Sequence, residues 1–238
     1  MAEIKTVQEC AKMISDGNSV MVGGFLGIGA PLQMIDQIVE NGTKNLTLIS
    51  VVGSYPGGGF DIGKLTANQQ VQKFIGAHIG TDPALVAGYN KGTIEIEFNP
   101  MGTFIERIRA AGAGLGAVIT PVGIGTEVET YAEKREFFGK DYLVFPPLGA
   151  DFAIIKARAA DKLGNLLYDG TSMNTNTTMA TAGKIVIAEV DEIVETGALK
   201  PNDIGTPGIF VDYIVKGQST EERKALFGQI WEKGNKLR

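Results

Sequence analysis

A chain of 238 residues with 44% hydrophobic and 21% charged residues has ordinary globular composition and is long enough for one large core or two small ones. Its net charge of −5, with no basic cluster, argues against a nucleic-acid surface, and no uncharged apolar run approaches the roughly 18 residues of a membrane span. The lone Cys10 excludes an intrachain disulfide and, with no apolar signal segment after Met1-Ala2-Glu3-Ile4-Lys5, leads us to expect a cytoplasmic protein without a membrane partner. The 32 glycines are about twice the usual share and follow no period, which points to tight turns and backbone-lined sites.

Val7, Cys10, Ala11 and Ile14 fall at helical spacing and predict a short first helix ending at Asp16-Gly17. A strand follows at Ser19–Val22, then a glycine turn, then a helix from Pro31 to Glu40 closed by Asn41-Gly42. Leu46–Val52 is apolar with little alternation, as in a parallel strand buried on both faces. Tyr55–Phe60 reads as a flexible loop, Val71–Ile75 as a strand, and Asp82-Pro83 as the start of a helix ending near Lys91-Gly92. Ile94–Phe98, with Glu95 and Glu97, reads as a strand with one polar face near an edge. Thr103 and Glu106 have capping-box spacing and predict a helix to Ala111, followed by a strand at Ala117–Thr120. Arg135–Phe138 and Tyr142–Phe145 predict a hairpin around the three-residue loop Gly139-Lys140-Asp141. Beyond it come a strand at Phe152–Lys156, a turn at Gly164-Asn165, a helix at Asn174–Ala182, and strands at Lys184–Val190 and Phe210–Val215. Ser219 and Glu222 form a second capping-box spacing, opening a terminal helix with Lys233, Lys236 and Arg238 towards its negative end. The expected fold is α/β, an open, mostly parallel sheet with helices on both faces and a β-hairpin excursion, in one domain spanning 1–238.

The stretch most suggestive of chemistry is Gly23-Gly24-Phe25-Leu26-Gly27-Ile28-Gly29-Ala30-Pro31. Strand, glycine turn and helix in that order aim backbone N–H groups and a positive helix end at an anion, the alternative being a tight connection without a ligand. Its spacing, Gly24-x-x-Gly27-x-Gly29, reverses the dinucleotide fingerprint, and no lysine is placed as a phosphate loop requires. His78, the only histidine, is either a general base or a structural residue at a strand end. Arg107 and Arg109 are either anion ligands or part of a solvated helix face, Cys10 reads as a packing residue, and Glu127, Glu129 and Glu133 as solvated charges. With one His and one Cys no metal site is expected, and no nucleophile–base set emerges.

Over Asp16-Gly17-Asn18-Ser19-Val20-Met21-Val22-Gly23-Gly24-Phe25-Leu26-Gly27-Ile28-Gly29-Ala30-Pro31 the sequence closely resembles the A (alpha) subunit of family I coenzyme A transferases, of the 3-oxoacid, butyrate–acetoacetate or acetate type. Gly102-Thr103 through Glu106-Arg107-Ile108-Arg109, the Ala111–Gly114 loop, and Asp191–Glu195 before Thr206-Pro207-Gly208 agree in the same order, so the resemblance spans nearly the whole chain. It implies the α/β fold which that family shares with sugar-phosphate isomerases. It also implies a ping-pong transfer of coenzyme A between a short-chain acyl-CoA and a free carboxylic acid, through a glutamyl-CoA thioester.

The resemblance places that glutamate in a Ser-Glu-Asn-Gly stretch of a B (beta) subunit, in a heterodimer or heterotetramer. It implies no catalytic residue on this chain and no tightly bound cofactor, coenzyme A being a substrate. Gly23, Gly24, Phe25, Leu26, Gly27, Ile28 and Gly29 would then face the coenzyme A and acyl groups. Val51, Gly53, Met101 and Gly102 would line the acyl pocket. Met101 stands where many relatives carry Gln, and Val51 where short-chain members carry Asn, which implies a more apolar pocket. A non-catalytic acyl-CoA-binding protein and a sugar-phosphate isomerase-like enzyme are the alternatives on the same fold.

Overall fold

The computed structural model describes residues 2–56 and 59–234. Gly57 and Gly58 of the expected glycine-rich loop, and Met1, Lys236 and Arg238 near the termini, lie outside the described residues. The chain runs β1 (Glu3–Lys5), α1 (Val7–Ala11), β2 (Ser19–Val22), α2 (Leu32–Asn41), β3 (Leu46–Ile49), α3 (Gly63–Ala67), β4 (Val71–Gly76), α4 (Pro83–Lys91), β5 (Glu95–Phe98) and α5 (Met101–Gly112). It continues through β6 (Val118–Thr120), β7 (Glu133–Phe137), β8 (Lys140–Phe145), β9 (Ala150–Asp161), β10 (Leu166–Leu167), α6 (Asn176–Met179), β11 (Gly183–Val194), β12 (Tyr213–Lys216) and α7 (Thr220–Lys233). Among the described residues no helix is long and apolar enough to cross a membrane.

The main sheet has the order β1-β12-β11-β9-β2-β3-β4-β5 with every neighbouring pair parallel, and β10 folds back antiparallel onto β9. Its central strands read as continuous apolar runs because both faces are covered. Val20 and Val22 point into one core with Leu48, Phe74 and Ile154, under Met34, Ile35 and Ile38 of α2. Met21 points into the other with Ile49, Ile75 and Ile155, under Phe104 and Ile108 of α5. Removing a side chain such as Phe74 or Phe104 from water stabilises the fold by about 2–3 kcal/mol each. The expected parallel sheet with helices on both faces is the one observed, and β6-β8-β7 form a separate antiparallel sheet at the expected excursion.

Local chemistry explains most boundaries. Asp82 accepts from the N–H groups of Ala84 and Leu85 at 3.0 and 3.1 Å, opening α4. The Ser219–Glu222 box opens α7 as expected, and a further box, Thr6 with Glu9, opens α1. Thr103 and Glu106 do not form one: α5 already begins at Met101 after Pro100, and Glu106 instead pairs with Arg109 at 2.8 Å. The hairpin turn is Phe138-Gly139 rather than Gly139-Lys140-Asp141, and Phe137 pairs with Lys140. Both turn residues have positive φ, 55° and 72°, the mirror-image turn that matches strand twist.

β9 and β11 extend well past their expected ends because their charged residues find partners across the sheet, among them Lys156 with Asp191. α6 is shorter than expected because Asn174 and Thr175 turn their side chains to the glycine turn. β5 is the edge strand anticipated from its glutamates, which Lys73 of β4 meets at 2.8 and 3.1 Å.

At the opposite end from the strand C-termini, Asp151 accepts from Ser19 N and Oγ at 3.0 and 2.8 Å and from Lys184 Nζ at 2.8 Å, tying β2, β9 and β11 together. The Lys184 bond and then the Ser19 bonds pull its pKa from 3.8 down to about 2. A depressed folded-state value stabilises above the unfolded value and ceases to do so as pH falls through the folded one. Urea titrations should therefore show Asp151→Asn less stable than the parent by a constant margin above about pH 5, narrowing steadily towards pH 2. A margin that does not change with pH would assign the loss to packing.

Candidate functional site

Parallel strands carry their ligand sites beyond their carboxyl ends, and there β2 leads into the glycine turn. Phe25 and Ile28 exchange backbone hydrogen bonds at 2.9 and 3.0 Å, making a two-residue hairpin with Leu26 at φ 50° and Gly27 at φ 81°. Leu26 is one of few non-glycine residues in the left-handed region, a strained conformation that the surroundings must hold. They hold it through three consecutive polar residues that lead into and open α6. Asn174 Nδ2 donates to Ile28 O at 3.0 Å, Thr175 Oγ1 accepts from Gly24 N at 3.1 Å, and Asn176 Nδ2 donates to Gly29 O at 3.0 Å. Asn176 is wholly buried and its Oδ1 also accepts from Lys156 N at 3.0 Å, so one amide joins the turn to β9. A Cβ on Gly23 would overlap that oxygen, and one on Gly29 would overlap Ser172 O.

The turn's donors are largely committed within the chain. Gly23 N reaches Ile154 O, Gly24 N reaches Thr175, Phe25 and Ile28 bond each other, and Ala30 N reaches Gly27 O. Among the described residues the N–H groups of Leu26, Gly27 and Gly29 have no such acceptor. The positive end of α2, expected to face an external anion, receives a carboxylate of the chain itself. Glu189 of β11, completely buried, accepts from Met34 N at 3.0 Å. Burial pushes its pKa up against that bond and the Lys156 and Arg223 charges. Arg223 Nη1 stands 3.8 Å away, and a Cβ on Gly217 would meet Glu189 Oε1 at 2.7 Å, so glycine is required there.

Beside this carboxylate, Lys156 reaches Asp191 and the Ala157 carbonyl, and Thr220 Oγ1 donates to Asp191 at 2.8 Å. Burial lowers the Lys156 pKa, with Arg223 adding to the effect. A second buried carboxylate, Asp61, accepts from Ser54 Oγ, from Tyr55 N at 2.8 Å and from Gly63 N at 3.2 Å, and burial raises its pKa. It fixes the loop that sets Phe60 against Gly27.

The residues expected to line an acyl pocket are spread along this edge. Gly53 joins Gly24, Leu26 and Gly27 around a crevice of about 10 Å³, room for about one water. Val51 is 2% exposed, packed in the core beneath α5. Met101, 48% exposed, and Gly102 open α5 directly after β5, the edge strand three places from β2 in the sheet.

His78 is exposed at the end of β4, and its carbonyl accepts from Gly53 N at 2.7 Å. Arg107 is neither an anion ligand nor solvated: it is 4% exposed, bonded to Glu97 at 2.7 Å and Asn99 at 2.6 Å. Cys10 is buried, which pushes its thiol up to about 11. Among the described residues no group of His, Cys, Asp or Glu is placed to hold a metal ion. Spacing reasoning missed Glu189, Lys156, Arg223 and the Asn174–Asn176 run. They reach the turn from more than a hundred residues away, and only Asp191 lay in a stretch already singled out.

The family model for coenzyme A transferase matches residues 4–217. Acetate CoA-transferase subunit alpha of Escherichia coli (strain K12) is 41% identical over 219 residues, 92% of this chain and 99% of that protein. The acetoacetyl-CoA:acetate/butyrate CoA transferase alpha subunit of Clostridium acetobutylicum is 41% identical, covering 90% of this chain and 98% of that one. Among solved structures, the acyl-CoA transferase (YdiF) apoenzyme from Escherichia coli O157:H7 has a TM-score of 0.83 at 25% identity over 91% of this chain; the match spans 47%, about half, of that structure. A variant of the decarboxylase AibA/AibB has a TM-score of 0.78 at 25% identity, covering 99% of this chain and 95% of that one.

The Gly23–Asn176 contact yields a double-mutant test. Asn176→Ala leaves Gly29 O and Lys156 N unpaired in the interior and should cost about 3 kcal/mol in chemical denaturation. Gly23→Ala should cost at least as much by displacing the amide. With the amide already gone, the Gly23 methyl has room, so the double variant should lose clearly less than the sum. Additive losses would mean the two residues do not constrain each other.

Proposed function

We propose that this chain, which belongs to the coenzyme A transferase family, forms the alpha half of a heteromeric enzyme that moves coenzyme A between a short-chain acyl-CoA and a free carboxylic acid. In this reading its glycine turn faces the reacting thioester and a partner subunit supplies the nucleophile. The observation that carries it is the strained hairpin at the carboxyl edge, held by Asn174, Thr175 and Asn176 with the Leu26, Gly27 and Gly29 N–H groups uncommitted among the described residues. Two comparisons support a division between chains: this chain spans 99% of a protein named subunit alpha, yet only about half of the acyl-CoA transferase structure.

The chemistry follows from the resemblance and balances in two exchanges. A glutamate carboxylate of the partner, expected in its Ser-Glu-Asn-Gly stretch, attacks the thioester carbon. The carbonyl oxygen takes up negative charge, the C–S bond breaks, and the thiolate leaves with the electron pair, giving a mixed anhydride. The thiolate then attacks the glutamyl carbonyl, releasing the first carboxylate and forming the glutamyl-CoA thioester. An incoming carboxylate runs the same steps in reverse. Gly23 to Gly29 would contribute rigid donors for the developing oxyanion, each such donor being worth about a hundredfold or more in rate. Buried Val51 acts on this pocket only through the core, so the acyl preference rests on Gly53, Met101 and Gly102.

The purified chain alone should show no transferase turnover, and adding a partner that carries Ser-Glu-Asn-Gly should restore it. Turnover by the chain alone would overturn the proposed division, and carbon dioxide release in place of transfer would move the chain to the type of its decarboxylase neighbour. With butyrate, acetoacetate, 3-oxoadipate and branched acids as acceptors, acetoacetate should not be the fastest. Met101→Gln should raise kcat/KM for acetoacetate about tenfold, the effect of about one recovered hydrogen bond.

A further inference from the structure

α7 lies beyond residues 4–217, yet it folds back onto the glycine turn. The Phe227 ring meets Phe60 at 5.5 Å, Phe60 in turn covers Gly27, and Arg223 Nη1 donates to Ala30 O at 3.3 Å. Between this helix and the ends of β9 and β11 remains a cavity of about 370 Å³, within the range of small-molecule sites. One side is apolar, made by Ile28, Ala157, Phe227 and Trp231. The charged side carries four cations, Lys156, Arg158, Arg223 and Lys224, against Asp169 and Asp191. A second, more polar cavity of about 520 Å³ adjoins it and shares Arg158, Lys224, Asp169, Asp191 and Thr220.

These charges are not equally available. Lys156 and Asp191 neutralise each other, and Thr220 takes the second Asp191 oxygen. Arg223 faces buried Glu189. Arg158 has only the distant Glu192, at 3.8 Å, and exposed Lys224 has no carboxylate among the described residues within salt-bridge reach. The cations open to a ligand therefore stand where the two cavities meet, beside Asp169 and with an aromatic wall on the inner side. Buried apolar surface rewards a hydrocarbon body and the outer cations a single negative end.

We propose that this cavity binds a small carboxylate with an apolar body, its body against Phe227 and Trp231 and its carboxylate towards Lys224 and Arg158. Phe227 and Trp231 come from a helix outside the matched family region, while Ile28 belongs to the glycine turn, so the site adjoins the turn to which the thioester is assigned. It does not rest on that assignment.

Trp231 is the only tryptophan of the chain, so its emission reports the cavity directly. The purified full-length chain should show a saturable change in tryptophan fluorescence with phenylpropionate, and phenylpropanol should bind at least about tenfold more weakly, a difference of about 1.4 kcal/mol. Inorganic phosphate should produce no comparable change. Lys224→Glu should weaken phenylpropionate about tenfold. Gly228→Leu should abolish binding while leaving circular dichroism and thermal unfolding intact, since a side chain at Gly228 enters open space in the cavity wall.

Equal binding of phenylpropanol would overturn the carboxylate assignment, and equal binding of phosphate the apolar one. An unchanged affinity in Lys224→Glu or in well-folded Gly228→Leu would place the ligand elsewhere. Displacement of phenylpropionate by coenzyme A at lower concentration would give the cavity to a phosphate-bearing ligand and sink the proposal. None of these readouts needs a partner subunit or turnover, so they stand or fall independently of the transferase reading.

Discussion

The buried amide of Asn176 is the contact on which the functional edge depends. Its nitrogen holds Gly29 O and Ser172 O, and its oxygen holds the N–H of Lys156. A glycine-rich turn left to itself has many conformations, because glycine loses more backbone entropy on ordering than any other residue. The bonds from Asn174, Thr175 and Asn176 remove that freedom and keep Leu26 in a left-handed conformation that isolated chains avoid. Two of the glycines leave room for this segment: a Cβ on Gly23 would overlap the Asn176 oxygen, and one on Gly29 would overlap Ser172 O.

A second constraint lies directly beneath. The N-terminus of α2 carries partial positive charge, and the fold neutralises it with Glu189 from the neighbouring strand. A carboxylate without water needs compensation, and Lys156 and Arg223 supply it from two further elements. Strand, helix start and terminal helix are thereby linked through one electrostatic cluster. Its members also wall the cavity under α7, so the device that secures the turn shapes the space beside it.

Much of this fold is legible in the sequence. The unalternating runs at Val20–Val22 and Leu46–Ile49 announce strands covered on both faces, and Asp82, Gly42, Gly92 and Ser219 mark helix ends through bonds made within a few residues. Where local signals misled, a competing local interaction was stronger. Pro100 starts α5 before Thr103 can cap it, and Phe138 joins Gly139 in the left-handed region, shortening the hairpin loop by a residue. The full lengths of β9 and β11 are invisible to hydropathy because Lys156 and Asp191 look like strand breakers until they are seen paired.

For the functional edge the division is sharper. The sequence alone determined the strand–turn–helix and its resemblance to the alpha subunits of coenzyme A transferases, since both reside in a contiguous run of sixteen residues. Only the tertiary structure decided what the turn is bonded to. Asn174 to Asn176 sit some 150 positions downstream, Glu189 answers a helix dipole from another strand, and Arg107 turns out to be a buried structural ion. Short-range patterns record bonds that the backbone closes over one turn or one pleat. Neutralising a buried charge or filling a site beside a glycine takes whichever residue the completed sheet brings near, and sequence spacing carries no trace of that choice.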